Sequence, residues 1–328
     1  MGSNQDITQI TTFGVASCFG GSNGGCANAP YVIKDSECQA SLSNQNLELV
    51  WKSVVAPINC KANSLVCLSK LSQEIASLTF QHTRNQVAND RVGQPFLLIS
   101  GDHSSAIGTW AGVIQGLGNR TLGLIWIDAH LDAHKLKTSP SGNLHGMPVS
   151  VLLNKAEPTL QAVYPYLSES RDDSENDSRD ESADDNQLTE FPYLSGENLS
   201  LLGTRSYEPE ELDLVKNENV QIFNMHHLMH ADNPLKQLNK IAAELLTRCD
   251  LIGISLDVDA ISPEDAPAVE TPEEHGIKGE MLIKMLEDFS YKDKLVGLEI
   301  SEFSPSDDVE GKTEKLIHRL IAATFSKT

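Results

Sequence analysis

The chain has 328 residues, 46 acids against 25 lysines and arginines, and a formal charge of −21. Such acidity argues against nucleic acid or an anionic membrane as a partner, because both require basic patches, and mildly favours a cationic small substrate. No stretch approaches the roughly 20 apolar residues of a transmembrane helix, and the opening MGSNQDITQI lacks the basic and apolar regions of a signal peptide, so a cytoplasmic protein with a large core is expected.

From the N-terminus, TTFGVASCFGGSNGGCANAPYVIK reads as a strand, a glycine-rich loop and a helix starting near Pro30. Cysteines 18, 26, 38, 60, 67 and 249 form no CxxC pair and no finger spacing, which predicts reduced, structural thiols. Leu65, Leu68, Leu71, Ile75 and Leu78 recur three or four apart, so the segment from Ser64 to Asn89 should be a helix. A strand before Gly101, a helix from about Ser104 to Gln115 and a strand before Asp128 follow. This alternation predicts a parallel sheet with helices on both faces.

Residues 168–190, SESRDDSENDSRDESADDNQLTE, hold ten acids against Arg171 and Arg179, a net −8 of the chain's −21. With almost nothing to bury, this stretch should be a disordered surface loop. One use for it would be an electrostatic flap that concentrates a cationic substrate at the rim of a site. Beyond it, LSLLGTRSYEPEEL is a strand and an acid-rich helix start, and VQIFNMH is a strand. NPLKQLNKIAAELLTRC is a helix, LIGISLDVDA a strand, KGEMLIKMLEDFS a helix, LVGLEISEFSP the last strand and TEKLIHRLIAATFSKT the closing helix.

Three of the apolar runs end in acids and histidines. LGLIWIDAHLDAH sets Asp128, His130 and Asp132 two apart, PFLLISGDHSS delivers Asp102 and His103, and LIGISLDVDA sets Asp257 and Asp259 two apart. A strand points residues i, i+2 and i+4 to one face, and open α/β sheets bind ligands beyond the carboxyl ends of their strands. Packed acids are costly to desolvate and repel one another unless a cation sits among them. Four carboxylates with two imidazoles suit two divalent ions. Oxygen-rich sets with some imidazole favour Mn²⁺, whereas Zn²⁺ takes fewer ligands with more Cys or His.

The blocks SGDHS, DAHLD, SGNLHGMP and SLDVDA resemble, in order and spacing, the arginase (ureohydrolase) family, and the resemblance runs from about residue 12 to about residue 320. It implies a single α/β domain over residues 1–328, a three-layer αβα sandwich around a central parallel sheet of about eight strands. The family usually has a shorter connection at 168–190, which marks that stretch as an insertion. The implied activity is manganese-dependent hydrolysis of L-arginine to L-ornithine and urea by a hydroxide bridging two Mn²⁺ ions, in a trimer or hexamer. Carried over residue by residue, His103 and Asp132 serve one ion, His130 and Asp259 the other, and Asp128 and Asp257 bridge. His145 in SGNLHG matches the proton shuttle, and Asp132 is counted with it among the catalytic groups. Glu302 in GLEISEF matches the acid that orients the guanidinium, for which a bidentate carboxylate is the preferred partner. Ser141 and Asn143 match groups that bind the substrate α-carboxylate, Glu208 and Glu211 face its α-amino group, and Thr271 borders the pocket.

The chain departs from the family at several of these positions. His134 stands where arginases usually carry an Asn that contacts the α-carboxylate, and it can still donate a hydrogen bond. Glu208 replaces a shorter Asp. APAVETPEEHGI keeps Thr271 and Pro272 but sets Glu270 and His275 where small residues are usual. Glu299, three residues before Glu302, should face the other side of its strand and has no expected site role. The alternatives are hydrolysis of another guanidino or formimino compound, such as agmatine or formiminoglutamate, and a catalytically silent metal-binding sensor. Ser141 and Asn143 argue against agmatine, which has no carboxylate, and the sensor reading would be marked by a lost metal ligand, of which there is none.

Overall fold

Eight parallel strands form one sheet: β1 (Thr8–Val15), β2 (Leu47–Val55), β3 (Phe96–Ser100), β4 (Leu122–Ile127), β5 (Leu199–Leu202), β6 (Gln221–Phe223), β7 (Leu251–Asp257) and β8 (Leu295–Ser301). Their order across the sheet is β2-β1-β3-β8-β7-β4-β5-β6. The computed structural model describes residues 7–21, 24–57, 64–163 and 192–326. The acidic stretch at 168–190, with the flap suggested for it, lies outside them. Among the described residues, no helix is long and apolar enough to cross a membrane.

Strands β3, β4, β7 and β8 are buried along their whole length, as expected where helices cover both faces of a parallel sheet. Alternate residues of β4 serve opposite layers: Ile125 and Ile127 pack with Ile241, Leu286 and Ile317 on one face. Leu124 and Trp126 pack with Leu68, Ile75 and Trp110 on the other. This is the expected three-layer αβα arrangement. The predicted long helix spans Ser64–Ala88 and lies on Ala106–Gly116. The approach is close enough that a Cβ on Gly112 would come within 2.3 Å of the Ala76 carbonyl.

Two features depart from the sequence reading. The edge strand β2 was not anticipated, although LELVWKSVV carries β-branched and aromatic residues and buries Leu47 and Leu49 around an exposed Glu48. The thiols are not all reduced. Cys18 and Cys26 form a disulfide, because the glycine-rich loop folds back and brings their Cα atoms to 6.1 Å, within bridging range. Cys67 is also disulfide-bonded, while Cys38 and Cys249 are free.

His82 lies edge-on to Phe13 and Phe96, each 5.7 Å away between ring centres. Burial, with a smaller push from Lys52, lowers its pKa to about 4. A folded pKa below the unfolded value means stability that is complete above pH ~6.5 and is lost as pH falls toward 4. His82→Phe should therefore remove on the order of 2 kcal/mol of the acid-induced loss. The check is the drop in urea midpoint between pH 7 and pH 4, which should be smaller in the variant than in the parent.

Candidate functional site

Chain order carries β1 to β3 to one side of the sheet and β4 to β6 to the other, with β7 and β8 inserted between β3 and β4. The crevice at that reversal is where open α/β sheets place ligands. The carboxyl ends of four adjacent strands, β3, β8, β7 and β4, therefore open into the same place. They deliver His103, Glu302, the Asp257–Asp259 pair and the Asp128–Asp132 loop, respectively.

The convergence at β4 is not produced by strand pleat, as the two-residue spacing suggested. The strand ends at Ile127, and Asp132 adopts a left-handed φ of 51°. The loop is instead held by its own acids. Asp128 Oδ1 accepts from the His130 N–H at 2.7 Å, and Asp259 Oδ1 accepts from the Ala129 N–H at 3.2 Å. Asp257 Oδ1 accepts from the Asp259 N–H at 2.8 Å, and the Trp126 indole donates to Asp128 Oδ2 at 2.9 Å.

All six expected ligands come together. His103 Nδ1 stands 3.2 Å from Asp128, 3.1 Å from Asp132 and 3.1 Å from Asp257. His130 Nδ1 lies 3.0 Å from Asp259 and 3.4 Å from Asp128. Two groups with metal-ligand spacing result, His103–Asp128–Asp132 and Asp128–His130–Asp259, and Asp128 is common to both. Burial, and then the Asp128 charge, pushes Asp132 up to about 7. Burial with Asp259 and Asp128 lifts Asp257 well above the carboxylate range. Asp128 itself is held low by His103 and His130 against the cost of burial. His103 Nδ1 and Asp132 Oδ2 are buried without a hydrogen-bond partner. Buried, mutually repelling acids with unsatisfied ligand atoms fit a divalent-cation centre, and the donor set is oxygen-rich with two imidazoles.

Glu302 also has a left-handed φ, 69°, and is 1% exposed. Its Oε1 accepts from the His103 N–H at 2.7 Å and lies 3.0 Å from His145 Nδ1, while Oε2 has no partner. Burial opposes charge on His145, yet Glu302 raises its pKa to about 10. Together with the ligand cluster, these groups line a cavity of about 230 Å³. Ser141, Asn143, His134, Glu208 and Thr271 line it too. Ser141 is exposed and accepts from the Asn143 N–H at 3.2 Å, and the Thr271 hydroxyl donates to Asp259 Oδ2 at 3.2 Å. His134 is not free: its Nε2 is 2.9 Å from Glu208 Oε2. Glu270 sits behind the cavity wall, with a carboxylate oxygen within 4.8 Å of ligand atoms of His145 and Glu302.

Two residues not anticipated support the site. Glu299 faces away from the cavity, as its spacing implied, but accepts from the hydroxyls of Ser105, Thr109 and Ser255 at 3.0–3.2 Å. Ser255 Oγ is in turn 2.9 Å from His103 Nε2. That chain leaves His103 Nδ1 as the atom aimed at the cluster, the arrangement in which an outer carboxylate orients a ligating imidazole. Arg205 donates to the backbone carbonyls of Gly203, Asp259, Ala260, Glu273 and Glu274, tying the 267–276 segment to the end of β7. Nothing local in the sequence marks either role, because, apart from Gly203, every partner is distant along the chain.

The class that this fold and site define is a hydrolase of parallel α/β type with a candidate metal centre. Comparison with known proteins narrows it: residues 8–326 match the Arginase family, and the chain belongs to that family. The arginase of Bacillus subtilis (strain 168) is 31% identical over 234 residues, which cover 70% of this chain and 69% of the relative. Among solved structures, the arginase of Bacillus cereus superposes with a TM-score of 0.79 at 25% identity, covering 98% of this chain and 99% of the other. The formimidoylglutamase of Bacillus subtilis shares the fold with a TM-score of 0.69 at 19% identity, covering 98% and 87%.

Proposed function

We propose that the protein is a manganese-dependent amidinohydrolase that cleaves a guanidino acid to urea and the corresponding amine, with L-arginine to L-ornithine as the first reaction to test. The observation that carries this reading is the Glu302 carboxylate, buried, with one oxygen unpartnered, beside His145 and next to the acid cluster. A planar cation with two parallel N–H groups is the natural partner of such a carboxylate. Two divalent ions held by His103, Asp128, His130, Asp132, Asp257 and Asp259 would supply Lewis acidity and an activated water near neutral pH.

The chain's own groups do the rest. Glu302 orients the guanidinium so that its carbon faces the cluster. As water adds to that carbon, Asp132 Oδ2, which lies 3.1 Å from His103 Nδ1, takes a proton and returns it to the leaving nitrogen as the C–N bond breaks. His145 holds Nδ1 on Glu302 and moves the remaining proton to and from solvent through Nε2. Ser141 and Asn143 at the mouth bind the far end of the substrate, and Thr271 steadies Asp259. The same reading expects a homo-oligomer.

The test is urea release by Mn²⁺-reconstituted protein from L-arginine, agmatine and other guanidino acids, with formiminoglutamate followed by formamide release. Metal-dependent cleavage of a guanidino acid is the expected result. Cleavage of formiminoglutamate alone would move the function within the family. Silence on the whole panel from protein holding its metal would favour the sensor reading.

A further inference from the structure

Apart from the ligand cluster and Glu302, the carboxylates that line the cavity are Glu208 and Glu211. A substrate that carries an ammonium at its far end has these two to pair with. Both already receive the same donor. His134 Nε2 lies 2.9 Å from Glu208 Oε2 and 3.3 Å from Glu211 Oε2. Glu211 also accepts from the Ala133 N–H on Oε1 at 3.1 Å and from the Glu208 N–H on Oε2 at 3.1 Å.

The His134 ring is not a loose side chain that a substrate could displace. It is 8% exposed, and its Nδ1 is 3.2 Å from the Thr138 hydroxyl. Its backbone N–H donates to the Gly146 carbonyl at 3.0 Å, and its own carbonyl accepts from Ser150 at 2.7 Å. Swinging the ring away would break its contacts to Glu208, Glu211 and Thr138 and leave Glu211 buried with one donor fewer. The donors left at the mouth are the hydroxyls of Ser139 and Ser141 and the amide of Asn143. These suit a carboxylate or a neutral polar group.

We infer that His134 is a specificity-determining residue that fills the ammonium seat, so that the substrate is a guanidino acid without an α-amino group. This rests on the amidinohydrolase reading and narrows its substrate class. A ring N–H built into the protein replaces the donor that an α-ammonium would bring. An ammonium arriving there loses its water and finds Glu208 shared and Glu211 already facing three donors, whereas a plain methylene loses nothing.

The experiment measures kcat/KM for L-arginine and for 5-guanidinopentanoate, the same molecule without its α-amino group. Both are run on the Mn²⁺-loaded protein and on His134→Asn, which shortens the side chain and withdraws the ring nitrogen. The parent should turn over 5-guanidinopentanoate at least as well as L-arginine, and H134N should move the ratio tenfold or more toward L-arginine. A parent that prefers L-arginine overturns the inference, as does a ratio that moves less than tenfold. Should H134N fail to fold, the parent's ratio decides alone. Silence of the parent on both compounds is the separate result that removes the amidinohydrolase reading itself, whereas turnover with the wrong ratio leaves that reading intact.

Discussion

Asp128→Asn is expected to lower kcat/KM by about a thousandfold or more, and to lower the stability of the metal-free protein as well. Asp128 is fully buried and belongs to both ligand groups, so its loss weakens both candidate ion sites together. Metal-ion catalysis is worth several kcal/mol of barrier, and each 1.36 kcal/mol is tenfold in rate. The stability sign follows from the imidazoles: His103 and His130 hold the Asp128 carboxyl well below its usual range against burial, so its charge is a net stabiliser of the metal-free fold. Asp128 helps push Asp132 up to about 7 and Asp257 well above the usual range, on top of burial. That repulsion does not outweigh the two imidazoles, and one amide oxygen cannot replace both carboxylate oxygens, which accept from the Trp126 indole and from the His130 N–H. With Mn²⁺ at about 100 times its Kd the parent gains about 2.7 kcal/mol, or roughly 4 °C in Tm. The variant should gain far less. Melting curves in chelator and in Mn²⁺ should therefore diverge: the variant trails the parent without metal and trails it by more with metal. Equal gains on adding Mn²⁺ would show that Asp128 holds no ion.

The six candidate ligands were legible because each follows an apolar strand, and strand ends on one edge of a parallel sheet face the same crevice. What the sequence did not show is which strands are neighbours. β8 pairs with β3 and β7, and that pairing sets Glu302 beside His103 and lets Glu299 reach Ser255 across the next strand. Period-two spacing gave Glu299 no site role, and it could not reveal a hydrogen-bond path through a residue 44 positions earlier. His134 was read by analogy as a donor to substrate. Its real partner, Glu208, is 74 residues away, beyond an insertion that no local pattern can bridge. The disulfide was missed for the opposite reason: eight residues separate Cys18 from Cys26, but whether a glycine-rich loop folds back depends on what packs beneath it. Here the Gly20 N–H is held by Asp102 at 2.9 Å and the Gly20 carbonyl by the His145 N–H at 3.1 Å.

Glu302→Gln carries the second large effect. Binding of a guanidinium by a buried carboxylate is lost when one partner becomes neutral, at a cost of about 3 kcal/mol, so kcat/KM should fall on the order of 10²-fold. An amide keeps the shape and can still accept from the His103 N–H, so the substitution tests charge rather than packing. Stability should move the other way. Burial raises the Glu302 pKa despite the favourable His145 contact. A carboxyl whose folded pKa exceeds its unfolded value stabilises the fold below the unfolded pKa of about 4.3 and loses that contribution as pH rises. In chelated protein, E302Q should therefore match the parent near pH 4 and exceed it in Tm near pH 8. A group kept only for structure would show the opposite, a lower Tm together with lower activity. Activity lost while the fold gains is the mark of a charge buried for its ligand, and it would tie the cost of the strained, left-handed Glu302 to binding of the guanidinium.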